Sequence, residues 1–126
     1  MKHILKVMAL ALTVSAFSLQ AARITRINSF TQLQSILAST QTVVIKFFAE
    51  WCGPCKRYKK NYEHVSSQIG GATFVEVDSD ACSDIASAYG VRSLPTTIIV
   101  KNGQPVAKVT GVQGESELKD LVKQNL

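Results

Sequence analysis

A chain of 126 residues, 46% hydrophobic and 18% charged, can bury the core of one domain and not of two. Its formal charge of +5 is modest, and no aromatic-interleaved basic stripe or glycine-rich phosphate loop accompanies it, so nucleic acid is excluded as an expected partner.

Residues 1–22 read as a secretory signal peptide, which leaves residues 23–126 as the folded domain. Lys2, His3 and Lys6 form a basic start, Val7 to Leu19 an apolar stretch short of a comfortable bilayer span, and Ala21 and Ala22 a small-residue end. Val14-Ser15-Ala16 is an earlier alternative cleavage site, and an uncleaved membrane anchor is the alternative to cleavage. No Arg precedes Arg23, which argues against a mitochondrial leader. A secreted or periplasmic location is therefore expected. Loss of Lys2 and Lys6 lowers the mature charge to about +3. Cysteines of an exported chain meet an oxidising compartment, where disulfides persist.

Ile24 to Ile27 predicts a short first strand. Ser29 can cap a helix over Phe30 to Leu37, where Phe30, Leu33, Ile36 and Leu37 recur at helical spacing. Val43 to Phe48 is apolar and β-branched enough for a buried strand. A helix follows from Gly53 to about Gln68, stopped by Gly70-Gly71. Thr73 to Val77 predicts a strand, and Ala81 to Tyr89 a short helix ended by Gly90. Thr96 to Val100 and Val106 to Thr110 flank Asn102-Gly103 and read as a β-hairpin. Ser116 to Leu126 closes as an amphipathic helix on Leu118, Leu121 and Val122. The order βαβαβαββα predicts an α/β fold, a central mixed sheet with helices on both faces.

Trp51-Cys52-Gly53-Pro54-Cys55 stands at the strand-to-helix corner. Two cysteines two residues apart can close a small disulfide ring, and the first, at a helix start, feels the positive end of the helix dipole. Pro54 suits the first helical turn, where its missing N–H costs nothing. A reactive dithiol is the functional reading. The alternatives are a permanent disulfide or half of a zinc site, but only Cys82, His64 and His3 remain to complete four ligands, with no second close pair, so no metal is expected.

Phe48-Ala49-Glu50-Trp51-Cys52-Gly53-Pro54-Cys55-Lys56 resembles the active-site signature of the thioredoxin family. Val75-Glu76-Val77-Asp78, Tyr89 to Thr96 with Pro95, Lys101-Asn102-Gly103 and Gly111 recur in the family's order, so the resemblance covers roughly residues 24 to 126. It implies the thioredoxin fold and a thiol–disulfide oxidoreductase that acts on protein disulfides or dithiols as a monomer, with no bound cofactor. Its electron partner would be an unidentified thiol reductase or a membrane electron relay. A non-catalytic binding or folding-helper subunit is the alternative. Cys52 is implied as the attacking thiol and Cys55 as the resolving one, with Gly53 and Pro54 modulating them. Pro95 is implied to be cis and to face the dithiol. Ser93 and Leu94 beside it, with Trp51, Gly111 and Val112 as an apolar rim, are the implied substrate contacts.

Three residues depart from the family pattern. Lys46 stands where a buried aspartate usually assists the resolving cysteine, Phe74 where a lysine usually pairs with that aspartate, and Lys60 where a proline usually kinks the helix. Period-two alternation puts Lys46 on one face with Val44 and Phe48, so its ammonium must pair with Glu76 or Asp78, snorkel out, or lose its proton. A charged Lys46 near Cys55 would favour thiolates, stabilise the reduced form and make the disulfide a stronger oxidant, whereas Gly-Pro between the cysteines goes with reductants in the family. Lys56, Arg57, Lys59 and Lys60 read as a solvated helix face, Cys82 as a small buried hydrophobe and His64 as a surface residue.

Overall fold

The computed structural model describes residues 24–126. The leader assigned to residues 1–22 and the domain's first residue, Arg23, lie outside them. Nine elements follow in the expected order: β1 (Thr25–Ile27), α1 (Phe30–Ser39), β2 (Thr42–Phe48), α2 (Gly53–Gln68), β3 (Thr73–Asp78), α3 (Ser83–Ala88), β4 (Thr96–Lys101), β5 (Gln104–Thr110) and α4 (Glu115–Gln124). The sheet order is β1-β3-β2-β4-β5. β1, β3 and β2 run parallel, while β4 is antiparallel to β2 and β5 to β4.

β2 is the central strand, and all seven of its residues are buried, because helices cover both faces of the sheet. Val43, Ile45 and Phe47 join Ile27, Leu33, Val75, Ile85 and Ile98 in the core under α1 and α3. Val44 packs on the opposite face with Tyr58, Tyr62, Val65, Phe74, Ile99, Leu118 and Val122, under α2 and α4. The alternation read from sequence is thus the alternation of two cores.

Local chemistry fixes the ends of the elements. Ser29 accepts the Gln32 amide at 3.1 Å and starts α1. Asn102 and Gly103 both take positive φ, 51° and 77°, and form the tight hairpin turn. Most element ends move by one or two residues from the sequence reading, and two of the starts have a local cause. α3 begins at Ser83, because the Asp78 carboxylate accepts the amides of Asp80 (2.9 Å) and Ala81 (3.2 Å) and holds those residues in a turn. β5 begins at Gln104 and takes in Pro105, which an edge strand tolerates because its outer side needs no donor. α2 runs unbroken past Lys60, consistent with the missing proline.

Two buried tyrosines tie α2 to the sheet. The Tyr62 hydroxyl lies 2.9 and 2.8 Å from the carbonyl oxygens of Val44 and Val75, and the Tyr58 hydroxyl lies 2.7 Å from Thr97 Oγ1. Burial pushes the Tyr58 phenol up to about 12, and burial with the Tyr58 and Glu76 charges pushes Tyr62 well above its ordinary value of 10. Between the ordinary and the raised pKa the folded state keeps a proton that the unfolded chain loses. The stability these phenols contribute is therefore full below pH 10 and falls as pH rises through that window. At about 1.4 kcal/mol per unit, wild type is expected to lose about 2 kcal/mol more than Tyr58→Phe between pH 10 and 12. Urea unfolding at stepped pH measures this, and equal losses would rule out Tyr58 as the titrating group.

Candidate active site

The dithiol sits where β2 ends and α2 begins. Cys52 is the N-cap of α2 and is joined to Cys55 as a disulfide, with Cα atoms 5.3 Å apart. The Cys55 amide donates to Cys52 Sγ at 3.2 Å. Sulfur here does what a serine oxygen does at an ordinary N-cap: it satisfies an orphan amide at the positive end of the dipole. Pro54, in the first turn, has no N–H to compete for that position.

The two sulfurs belong to residues facing different spaces. Cys52 lines an open groove with Trp51, Gly53, Pro54, Ser93 and Leu94. Cys55 lines a separate cleft of about 470 Å³, whose lining also includes Lys46, Phe48 and Glu76. The Leu94–Pro95 peptide is cis. Gly111 donates its amide to the Pro95 carbonyl at 2.8 Å and so fixes the β5–α4 turn beside that proline. Pro95, Gly111 and Val112 are not among the residues that line the groove, whereas Ser79, Val91 and Arg92 line it without having been singled out from sequence as site residues. Val91 and Arg92 could have been found as the residues directly before Ser93. Ser79 carried no signal.

Trp51 is the most exposed large hydrophobic side chain of the described residues, 71% accessible. Its indole N–H donates to Asp80 Oδ2 at 2.7 Å, which holds the ring in place while leaving its face free.

Lys46 is buried, at 3% accessibility, and of the sequence alternatives it pairs. The parallel register sets Lys46 opposite Glu76, and its Nζ lies 3.3 Å from Glu76 Oε2. Asp78 is opposite Phe48 instead and caps the turn before α3. Glu76 is also opposite Arg26 on β1, whose guanidinium reaches its other oxygen at 3.1 Å. The faces of Tyr62 and Phe48 lie 4.8 and 5.4 Å from the Lys46 ammonium. Burial lowers the Lys46 pKa from the ordinary lysine value, and Glu76 opposes that shift. Phe74 packs edge-on against Tyr62, with ring centroids 5.5 Å apart, and fills its position with a ring.

The remaining candidates lie away from the dithiol. Cys82 is buried, its Sγ 3.6 Å from the Ile27 carbonyl, and burial together with Asp84 and Asp78 raises its pKa. His64 bridges helices at the surface, with Nδ1 2.8 Å from Glu115 Oε1 on α4.

The thioredoxin family model matches residues 24–124. The chain is 37% identical over 101 residues to the thioredoxin of Mycoplasma pneumoniae, spanning 80% of this chain and 99% of that one. It is 35% identical over 101 residues to thioredoxin-1 of Schizosaccharomyces pombe, spanning 80% and 97%. The solved structure of Plasmodium falciparum thioredoxin superposes with a TM-score of 0.77 at 34% identity, covering 82% of this chain and all of that one. With this match along the described residues, the chain belongs to the thioredoxin family.

Proposed function

We propose that Cys52 is the attacking thiol and Cys55 the resolving thiol of this thiol–disulfide oxidoreductase, which acts on protein disulfides. One observation carries the assignment: Cys52 Sγ is the sulfur that accepts a helix-start amide, and its residue lines the open groove. An anionic sulfur there gains both the hydrogen bond and the dipole, and it is the sulfur a substrate meets first. Its thiolate attacks one sulfur of the substrate disulfide, the other leaves as a thiolate, and a mixed disulfide forms. Cys55 then attacks Cys52 Sγ, which closes the Cys52–Cys55 bond and releases the second substrate thiolate. Two electrons pass from the dithiol to the substrate, and each departing thiolate takes up a proton from solvent.

The groove suits an extended substrate segment laid along the Ser93–Leu94–Pro95 backbone, with Trp51 as its apolar wall and the Gly111–Val112 turn at its end. The leader pattern of residues 1–22 supports export, and an exported dithiol needs a reductase or a membrane relay on its own side of the membrane.

A Cys55→Ser variant tests the order of attack. It should accumulate a mixed disulfide with a reducible protein substrate, and peptide mass spectrometry should locate the substrate on Cys52. Substrate on Cys82, or no stable adduct, overturns the assignment.

A further inference from the structure

Lys46 is the only charged residue among the described residues that is buried, and it shares a cleft with the sulfur that must lose a proton during resolution. We propose that Lys46 is a positioning residue for Cys55, an ammonium held by Glu76 in the cleft that Cys55 lines, which favours the Cys55 thiolate and thereby sets the pH range of the resolving step. The inference rests on the assignment of Cys55 as resolving thiol.

Three groups hold the lysine as a cation against the cost of its burial. They are the Glu76 carboxylate at 3.3 Å and the ring faces of Tyr62 and Phe48 at 4.8 and 5.4 Å. The other charges facing the cleft come from every element around it. Arg26 on β1 bridges Glu76 and Glu50, and Lys59 lies 3.9 Å from Glu63 on α2. Those are surface pairs that solvent screens, and Lys56 is exposed as well. Lys46 and Glu76 are the two charges in low-dielectric surroundings, where a charge reaches a neighbouring thiol most strongly, and Glu76 is shared between Lys46 and Arg26, so the balance facing Cys55 is positive. Its sign favours the anion on Cys55 in both directions of exchange. In resolution, the Cys55 thiol releases its proton to solvent and its sulfur attacks Cys52 Sγ. When the disulfide opens again, Cys55 leaves as the thiolate and takes a proton back. Favouring the anionic reduced form also makes the disulfide the stronger oxidant.

Lys46→Met is a fair test, because Arg26 still holds Glu76 and methionine is an unbranched side chain of similar length. Lys46→Gln, which can still donate to Glu76, is a second neutral variant, and Lys46→Arg restores the charge. Reduced protein labelled with ¹³C at the cysteine Cβ atoms gives the titration midpoint of Cys55 by NMR. The neutral variants should raise that midpoint by about one unit, and Lys46→Arg should return it most of the way. A second readout is release of thionitrobenzoate from an adduct on Cys52. One unit costs tenfold in thiolate but returns about threefold in nucleophilicity. Release should therefore be about threefold slower than wild type below the midpoint and about threefold faster above it. A merely structural role slows release at every pH. An unmoved or lowered midpoint in both neutral variants overturns the proposal, and so does slowing without the crossover. If Cys55 were not the resolving thiol, wild type itself would fail to release the reporter, which is a separate failure.

Discussion

Cys52→Ser is expected to reduce turnover of a protein disulfide to the uncatalysed background, a loss of about 10³-fold or more. Serine cannot form the mixed disulfide, and its hydroxyl stays protonated at any working pH, so neither the hydrogen bond from the Cys55 amide nor the dipole can rescue it. The fold should survive, because serine is among the preferred N-cap residues and accepts the same amide. Thermal unfolding equal to that of the reduced wild type, beside lost activity, therefore separates chemistry from structure. Cys82 cannot substitute, since it is buried against β1 with its thiol pushed up by burial and by Asp84 and Asp78. Cys82→Ala is expected to keep full turnover. Insulin-type disulfide reduction measures both variants, and activity in Cys52→Ser above about a tenth of wild type would favour a binding module over an enzyme.

Most of this site was legible in the chain because its determinants are local. A cysteine at a helix start, a proline in the first turn and an apolar strand before them are all written within Val43 to Cys55. The hairpin was equally plain, since Asn-Gly is the pair that tolerates two positive φ angles. Pairings across the sheet were not legible. Alternation gave the face of Lys46, but choosing Glu76 over Asp78 required the β2–β3 register. The Asp78 side chain also turned out to be engaged locally, which shortened α3. The hydroxyl partners of Tyr58 and Tyr62, and the place of Ser79 in the groove, depend on how α2 and the loop after β3 settle on the sheet. No spacing in the sequence encodes them.

The pair that only register revealed carries the largest expected change in stability. Glu76→Leu should destabilise the protein by about 3–4 kcal/mol at neutral pH. Breaking a buried ion pair by removing one partner costs about 3–5 kcal/mol, because the other charge is left in place. Lys46 is that charge, whereas Arg26, half exposed, can turn to solvent. Deprotonation sets a ceiling: neutralising a lysine of ordinary pKa near 10.4 at pH 7 costs about 5 kcal/mol, so the penalty cannot exceed that. The faces of Tyr62 and Phe48 remain and hold the cost below the ceiling. The pH dependence has a definite sign. In the variant the folded-state pKa of Lys46, already lowered by burial, falls further below the unfolded value. Between the two values the unfolded chain binds the extra proton, so stability rises with pH up to about 10.4. Wild type shows the same sign with a smaller rise, because Glu76 holds the proton on. The double variant Lys46→Met with Glu76→Leu removes both charges, so it should recover most of the loss and show no rise. Urea unfolding of the four proteins at pH 7 and pH 9.5 decides it. A single variant as stable as wild type at pH 7, with no recovery in the double, would mean that Lys46 reaches solvent and that Glu76 does not hold it.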